Sequence, residues 1–193
     1  MKTALDAWLA AVVATPGMTS LDLDTAGPML VEDALRAAPL LEGITGEIVD
    51  IGSGNGSPGI PLALALPESS FVLLEPELKR CSFLESQAPP NARVLRGRAE
   101  EQPCDWAGAA LAKALAPPPV ALEWGLPLVA PGGVLLLWVG ASADLDLLGR
   151  VAGQLAGEVT GVSSGLVTVM KVSETPPGFP RRVGVARKRP LTR

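Results

Sequence analysis

The chain has 193 residues, of which 48% are hydrophobic, and this suffices to bury the core of one α/β domain. It contains no histidine, which removes the commonest general base and every nucleophile that such a base would activate. Cys81 and Cys104 are isolated in the sequence. They cannot supply the roughly four ligands of a structural zinc site, so we expect no metal and reduced thiols in a cytoplasmic protein. Any reaction must therefore rely on positioning or on the reactivity of a cofactor.

The formal net charge of −4 is unevenly distributed along the chain. An acidic protein is a poor partner for nucleic acid, but a basic terminal segment often binds one. Here the body is acidic, whereas residues 181–193 carry no acidic side chain. The basic side chains of this segment are Arg181, Arg182, Arg187, Lys188, Arg189 and Arg193.

Residues 1–42 predict an N-terminal helical extension with a break at residues 15–17. Its second segment, from about Pro28 to Leu41, has apolar residues at helical spacing. Asp6 interrupts the apolar stretch at the N-terminus, which favours an amphipathic helix over a signal peptide. No apolar run reaches the roughly 20 residues of a membrane-spanning helix.

Residues 43–175 predict short apolar strands that alternate with helices, which is typical of a mostly parallel sheet covered on both faces. We therefore expect an α/β, Rossmann-like fold with three layers and a seven-stranded sheet. The basic tail, residues 176–193, contains several prolines and is expected to be loosely structured. Strands are predicted at 47–51, 71–75, 92–95, 109–112, 134–139, 159–162 and 166–172, and helices at 60–66, 77–87, 118–129 and 144–156.

A glycine-rich turn at residues 50–56 lies between the first strand and the first helix of this domain. Gly52, Gly54 and Gly56 permit positive φ angles and close approach of a ligand, and open α/β sheets bind ligands at this edge. Glu75 ends the next strand, where a carboxylate can accept hydrogen bonds from two ribose hydroxyls. The pattern predicts a ligand that contains a nucleoside.

Residues 54–59 also match the GxGxxG pattern of dinucleotide-binding turns. However, Pro58 removes an amide that a pyrophosphate would use, and the glycines begin earlier, at Gly52. The Asp50 carboxylate would repel phosphate but suits the ammonium and sulfonium groups of S-adenosylmethionine. The residues favour S-adenosylmethionine, with a dinucleotide site and a purely structural turn as alternatives.

The run IVDIGSGNGSPGIP at residues 48–61 closely resembles the glycine motif of the bacterial 16S ribosomal RNA guanine-N7 methyltransferases, the glucose-inhibited division protein B family. The resemblance spans about residues 30–191, and the combination of motifs in this order is specific to the family. It implies methyl transfer from S-adenosylmethionine to N7 of one guanine in small-subunit rRNA. The other similar segments are LKRCSFL at 78–84, GRAEE at 97–101, KALAP at 113–117, PGG at 131–133 and FPRRVGVARKRPL at 179–191.

The resemblance also implies contacts for individual residues. Gly52 and Ser57 would contact the methionine and sulfonium part of the cofactor, Glu75 the ribose, and Ala99 and Glu100 the adenine. The expected cofactor-binding residues are Asp50, Gly52, Gly54, Gly56, Ser57, Glu75, Ala99, Glu100 and Lys113.

Lys113 stands where the family has arginine and is the candidate catalytic residue. It would contact the cofactor and hydrogen-bond guanine O6 or a phosphate. Guanine N7 carries a lone pair and no proton, so it needs no general base, and positioning is the main expected contribution. The basic side chains expected to contact RNA phosphates are Lys79, Arg80, Arg181, Arg182, Arg187, Lys188 and Arg189.

Three questions stay open at the level of sequence. The same fold could act on another RNA or on a small molecule, or it could be a catalytically silent binding protein. The rRNA substrate could be naked or already part of a small-subunit particle. The basic side chains could serve solubility alone. We expect a monomer, because no strand edge or apolar stripe indicates a partner, and we expect Trp124 to lie in the core.

Overall fold

A computed structural model describes residues 1–192 and contains one seven-stranded sheet. The strands are β1 (Ile48–Ile51), β2 (Phe71–Glu75), β3 (Ala92–Arg96), β4 (Ala107–Ala112), β5 (Val129–Trp138), β6 (Gly157–Ser163) and β7 (Leu166–Lys171). Their order in the sheet is β3-β2-β1-β4-β5-β7-β6. Of the seven strands within residues 1–192, β7 runs in the direction opposite to the other six and pairs antiparallel with β5 and β6. The predicted fold class, a mostly parallel Rossmann-like sheet, is confirmed.

Helices cover both faces of the sheet because successive residues of the buried strands point to opposite sides. The helices are α1 (Lys2–Ala14), α2 (Leu23–Ala26), α3 (Asp33–Leu35), α4 (Ala38–Leu41), α5 (Gly59–Ala65), α6 (Leu78–Gln87), α7 (Pro118–Gly125), α8 (Leu145–Gln154) and α9 (Val185–Lys188). Val49 and Ile51 belong to the core that includes residues of α7 and α8, whereas Ile48 packs in the core that includes residues of α4 and α5.

The N-terminal extension is helical, but the single helix predicted from Pro28 to Leu41 is wrong. A π-helical segment, Gly27–Glu32, lies between α2 and α3, and the backbone N–H of Asp33 donates to the Pro28 carbonyl. Proline has no N–H and its ring excludes a carbonyl four residues earlier, which interrupts a regular α-helix. The extension therefore consists of one regular helix, α1, followed by a series of short helical turns.

Two predicted boundaries near the fifth strand also shift. The helix predicted to reach Val129 ends at Gly125, and a 3₁₀ turn containing Pro127 follows it. Strand β5 begins at Val129, so the predicted turn at 131–133 lies within this strand, beside a register shift in the pairing with β4. Val129 pairs with Ala107 and Val134 pairs with Ala109, so β5 carries the extra residues at this irregularity, and Pro131 among them has no N–H to donate to the sheet.

The C-terminal segment packs against the body, so the prediction of a loosely structured tail is wrong. Thr175 donates to Asp105 at 2.8 Å, and the buried Lys171 ammonium lies 3.0 Å from the same carboxylate. Further along, Ala186 of α9 is only 2% exposed, and Phe179 packs on the main core. This segment buries apolar surface that its polar composition did not indicate.

Among residues 1–192, no helix is long and apolar enough to cross a membrane. Within the same part of the chain, no group of three or more His, Cys, Asp or Glu side chains is arranged to hold a metal ion.

Candidate active site

The turn after β1 depends on glycine at three positions. Gly52, Gly54 and Gly56 have φ angles of +66°, +56° and +102°, a region that side chains with a Cβ rarely adopt. A Cβ at Gly52 would overlap the side chain of Leu115, and one at Gly56 would lie 2.6 Å from Ile60 Cδ1. The turn therefore brings bare backbone to the carboxyl edge of the sheet.

Two clefts meet at Gly52. The first has a volume of about 90 Å³ and the second of about 220 Å³. The first is lined by apolar and aromatic groups together with charged ones, among them Leu74, Ala99, Glu100, Leu115, Trp124 and Arg187. The second is lined mainly by polar groups, among them Gly54, Asn55, Ser57, Arg80 and Lys113, with Met18 and Leu30 at its side.

The clefts bring together most of the residues that the sequence nominated for the cofactor. Gly52 lines both of them, Ala99 and Glu100 line the first, and Ser57 and Lys113 line the second. Gly54 also lines the second cleft, whereas Gly56 packs beneath the turn against Ile60 and Trp8. An apolar cleft joined to a polar one suits a ligand with a purine at one end and an amino acid at the other.

Glu75 is buried at the end of β2 and supports the glycine turn. One carboxylate oxygen accepts the Gly54 N–H at 2.9 Å, and the other accepts the Glu77 N–H at 2.9 Å. Each carboxylate oxygen can accept a second hydrogen bond, so a ribose hydroxyl could still be bound. Glu75 is not one of the described residues that line the two clefts, so its contact with ribose stays a prediction.

Asp50 lies beneath the turn and is 1% exposed. One of its carboxylate oxygens accepts the Gly59 N–H at 3.1 Å. Burial raises the pKa of Asp50 to about 7, although the hydrogen bond from Gly59 and the charge of Lys113 act in the opposite direction. This carboxylate supports the first turn of α5. Its proximity to the ammonium group of the cofactor stays a prediction.

The raised pKa of Asp50 predicts a pH-dependent stability. Between about pH 4 and pH 7 the folded state holds a proton at Asp50 that the unfolded state has lost. The contribution of this group to the free energy of unfolding therefore falls as the pH rises through this range, by up to about 1.4 kcal/mol per pH unit, and is constant above it. Asp50→Asn should remove this slope.

Urea unfolding of the wild type and of Asp50→Asn at pH 5, 6, 7 and 8 measures the effect, because titration of the other groups cancels in the difference. The stability difference should grow in favour of the variant up to about pH 7 and then level off. A constant difference across the series would show that Asp50 titrates normally.

Lys113 is held in place by the N-terminal extension. Its ammonium lies 3.2 Å from an Asp33 carboxylate oxygen and donates to the Met29 carbonyl. It also lies 3.3 Å from Ser57 Oγ, which itself donates to the Leu30 carbonyl at 2.8 Å. The π-helical segment supplies the two carbonyls, so its irregular backbone positions the candidate catalytic lysine at the edge of the second cleft.

Several residues in and beside the second cleft have contacts that the sequence did not indicate. The side-chain amide of Asn55 donates to the Met18 carbonyl at 3.3 Å. The backbone carbonyl of Asn55 accepts the indole N–H of Trp8 at 3.1 Å. Asp33 pairs with Lys113 although the two residues are far apart in the chain. An asparagine within a glycine turn was the one signal available, because such a side chain commonly bonds neighbouring backbone.

Comparison with known proteins decides the family. Residues 24–154 match the family model described as rRNA small subunit methyltransferase G. The chain belongs to this family. A ribosomal RNA small subunit methyltransferase G from Syntrophomonas wolfei is 36% identical over 183 residues, which covers 83% of this chain and 84% of that protein. One from Rubrobacter xylanophilus is 36% identical, with 88% of this chain and 71% of that protein covered.

A solved structure supports the fold of this methyltransferase. A 16S rRNA methyltransferase of T. thermophilus, in complex with AdoMet and guanosine, aligns with a TM-score of 0.54 at 17% identity. The alignment covers 76% of this chain and 40% of that one. At this identity the likeness establishes the fold alone. The family model and the relatives confirm the predicted resemblance to the rRNA methyltransferase family and the predicted enzyme class.

The basic side chains that the sequence nominated for RNA have different surroundings in this family member. Arg182, Lys188 and Arg189 are exposed, whereas the Lys79 ammonium donates to the Pro16 carbonyl at 3.1 Å. Arg80 lines the second cleft, beside the glycine turn. The contacts of these basic side chains with RNA stay predictions.

Arg181 forms a bidentate ion pair with Glu123, a carboxylate of α7 that is 2% exposed. The guanidinium also donates to the Arg189 carbonyl at 2.9 Å. The hydrogen bonds to Glu123 raise the pKa of Arg181. Three of the five guanidinium N–H donors are thus engaged within the methyltransferase itself, and Arg181 holds the C-terminal segment in place.

Arg181→Ala is expected to lower the free energy of unfolding by about 3 kcal/mol, because it leaves the Glu123 carboxylate buried without a partner. Arg182→Ala, at an exposed neighbour of equal charge, should change stability by less than about 0.5 kcal/mol. Chemical unfolding of both variants makes the comparison. Equal stability of the two would contradict a structural role for Arg181.

Proposed function

We propose that this enzyme transfers a methyl group from S-adenosylmethionine to N7 of one guanine in 16S rRNA. The observation that carries the proposal is the pair of clefts that meet at Gly52, one apolar and aromatic, the other polar and bordered by Lys113. The nucleoside would lie in the first cleft, and the methionine moiety and the target base would lie in the second. Family membership supports an rRNA substrate.

The residues present fit this cofactor. Gly52 has no side chain, and a Cβ at this position would overlap Leu115. The backbone is therefore left bare, as close approach of a ligand requires. Ala99 and Glu100 would border the adenine, and Glu75 would accept the ribose hydroxyls. When bound, S-adenosylmethionine supplies an electrophilic methyl group on a positively charged sulfur.

The side chains of this enzyme would act by positioning. Guanine N7 attacks with its own lone pair, so no residue has to remove a proton, and the absence of histidine from the sequence is compatible with the chemistry. Lys113 would turn one N–H from Ser57 Oγ, which at 3.3 Å is the longest of its three contacts, to guanine O6 and so hold N7 in line with the methyl group. Its pairing with Asp33 keeps the ammonium at the edge of the second cleft.

The exposed cations of the C-terminal segment would contact the phosphates of the rRNA. Arg182, Lys188 and Arg189 are exposed on or beside α9, at one border of the clefts. Phosphate contacts position a nucleic acid without reading its sequence, and they weaken as salt rises. The substrate would be 16S rRNA or a small-subunit particle in the cytoplasm, and the enzyme would act as a monomer.

A transfer assay with labelled S-adenosylmethionine tests the proposal. Unmodified 16S rRNA would be offered naked and as small-subunit particles, and the product would be mapped by strand cleavage at N7-methylguanine. We expect one cleaved site, and the better of the two substrates identifies the form that the enzyme recognises. Absence of label in both forms, from protein that melts cooperatively, would contradict the proposal.

A further inference from the structure

The C-terminal segment reaches the first cleft. The Gly184 N–H, at the start of α9, donates to a Glu100 carboxylate oxygen at 3.2 Å. One turn later, the guanidinium carbon of Arg187 lies 5.3 Å from the centroid of the Trp124 ring. Arg187, Trp124 and Glu100 all line this cleft. A segment that the sequence assigned to RNA thus borders the expected adenosine site.

Independent contacts fix this segment where it lies. Ala186, the residue before Arg187, is 2% exposed, and Arg181 is paired with the buried Glu123. Leu191 packs on the main core beyond α9. Arg187 is therefore carried by a docked stretch of chain, in contrast to a cation on a free tail.

The chemistry of the Arg187 guanidinium suits a purine nucleoside. The group is planar, stacks on aromatic rings and donates hydrogen bonds in its plane, so it can contact a purine ring or its acceptor nitrogens. The side chain lies against Trp124, which restricts its orientation and reduces the entropy lost on binding. The adenosine part of S-adenosylmethionine is uncharged, so it does not repel a cation in the wall of the cleft.

We propose that Arg187, held against Trp124, is a cofactor-binding residue that contacts the adenosine part of S-adenosylmethionine. The C-terminal segment then forms one wall of the cofactor cleft in addition to any contact with RNA. This inference rests on the proposed function, because it takes S-adenosylmethionine as the ligand of the first cleft.

Arg182 provides a matched control for Arg187. Both are exposed arginines of the same segment, but only Arg187 lines the first cleft. If the segment served RNA alone, removal of either arginine would weaken RNA binding and leave the cofactor unaffected. If Arg187 contacts adenosine, only its removal weakens the binding of the cofactor.

The test is calorimetric titration of S-adenosylhomocysteine and of methylthioadenosine, which lacks the amino-acid moiety, into the wild type, Arg187→Ala and Arg182→Ala. We expect Arg187→Ala to weaken both ligands by about tenfold, or about 1.4 kcal/mol. Arg182→Ala should bind both within about twofold of the wild type. Unchanged affinity of Arg187→Ala for both ligands would overturn the inference, even if this variant bound RNA more weakly than the wild type.

Thermal melting of the unliganded variants separates binding from folding. Should Arg187→Ala melt early, Arg187→Lys keeps the charge and the aliphatic stem, but it loses the planar group and is expected to bind both ligands more weakly than the wild type. A wild type that binds neither ligand would overturn the proposed function itself. A wild type that binds, with Arg187 variants that bind equally well, would overturn this inference alone.

Discussion

Gly52→Val is expected to abolish the binding of S-adenosylhomocysteine, raising its dissociation constant at least about a hundredfold, or about 2.7 kcal/mol. Gly52 lines both clefts, so a side chain here would project where they meet and overlap Leu115. Its φ of +66° adds strain, because a β-branched residue disfavours this region. Calorimetric titration of the ligand into the folded variant gives the result.

Gly132→Val separates ligand exclusion from backbone strain. Gly132 also has a positive φ, +86°, but an added Cβ there meets nothing within 4 Å. This variant should lose stability through backbone strain alone and yet bind S-adenosylhomocysteine like the wild type. If both variants bound the ligand equally well, the assignment of the cofactor to the glycine turn would be wrong.

Lys113→Ala is expected to lower the rate of methyl transfer to rRNA about a hundredfold, because misplacement of the target base by about 1 Å can have an effect of this size. The ammonium that would orient guanine O6 is lost, whereas the Asp33 carboxylate keeps its second partner, Arg36. Single-turnover transfer at saturating S-adenosylmethionine measures the effect. Affinity for methylthioadenosine, which lacks the amino-acid moiety, should change far less, since the first cleft is intact.

Lys79→Ala is the control for Lys113, because the Lys79 ammonium likewise donates to a carbonyl of the N-terminal extension. At saturating rRNA it should transfer methyl groups within about threefold of the wild type, because loss of a phosphate contact weakens RNA binding without changing how the target base is oriented. Lys113→Arg keeps the charge and the donors and should retain most of the activity. Full activity of Lys113→Ala would show that this lysine is only a structural link between the extension and the sheet.

The sheet and the glycine turn could be predicted because their signals are local. Strands such as Phe71–Glu75 are short apolar runs between helical stretches, and the turn carries its glycines within a few residues. Glycine permits the positive φ of Gly52, Gly54 and Gly56, and a tight turn between a strand and a helix is where such angles are expected. Glu75 could be placed because the end of a strand beside the turn has a fixed position in this kind of sheet.

The two terminal segments could not be predicted because their structure depends on distant partners. Arg181 finds Glu123, which is 58 positions away in the sequence, and Lys113 finds the Met29 carbonyl 84 positions away. Arg187 looked like a phosphate contact because a cation in a basic run has no local feature that reveals a tertiary partner. Trp124, expected only in the core, lies in the core and also lines the first cleft.

Both clefts are completed by residues outside the sheet. The N-terminal extension borders the second cleft through Met18 and Leu30, and the C-terminal segment borders the first through Arg187. The glycine turn lies between them and contributes the backbone that both clefts share. Cofactor and target base would therefore meet at Gly52, with one terminal segment of the chain on each side.

The most direct measurement is the identity and number of methyl groups that the enzyme adds to 16S rRNA. Unmodified rRNA or particles would be incubated with S-adenosylmethionine and the wild type or Gly52→Val, digested to nucleosides and analysed by mass spectrometry. One N7-methylguanosine per rRNA with the wild type, and none with Gly52→Val, is the expected result. A methyl group on another atom, or the same product from Gly52→Val, would contradict it.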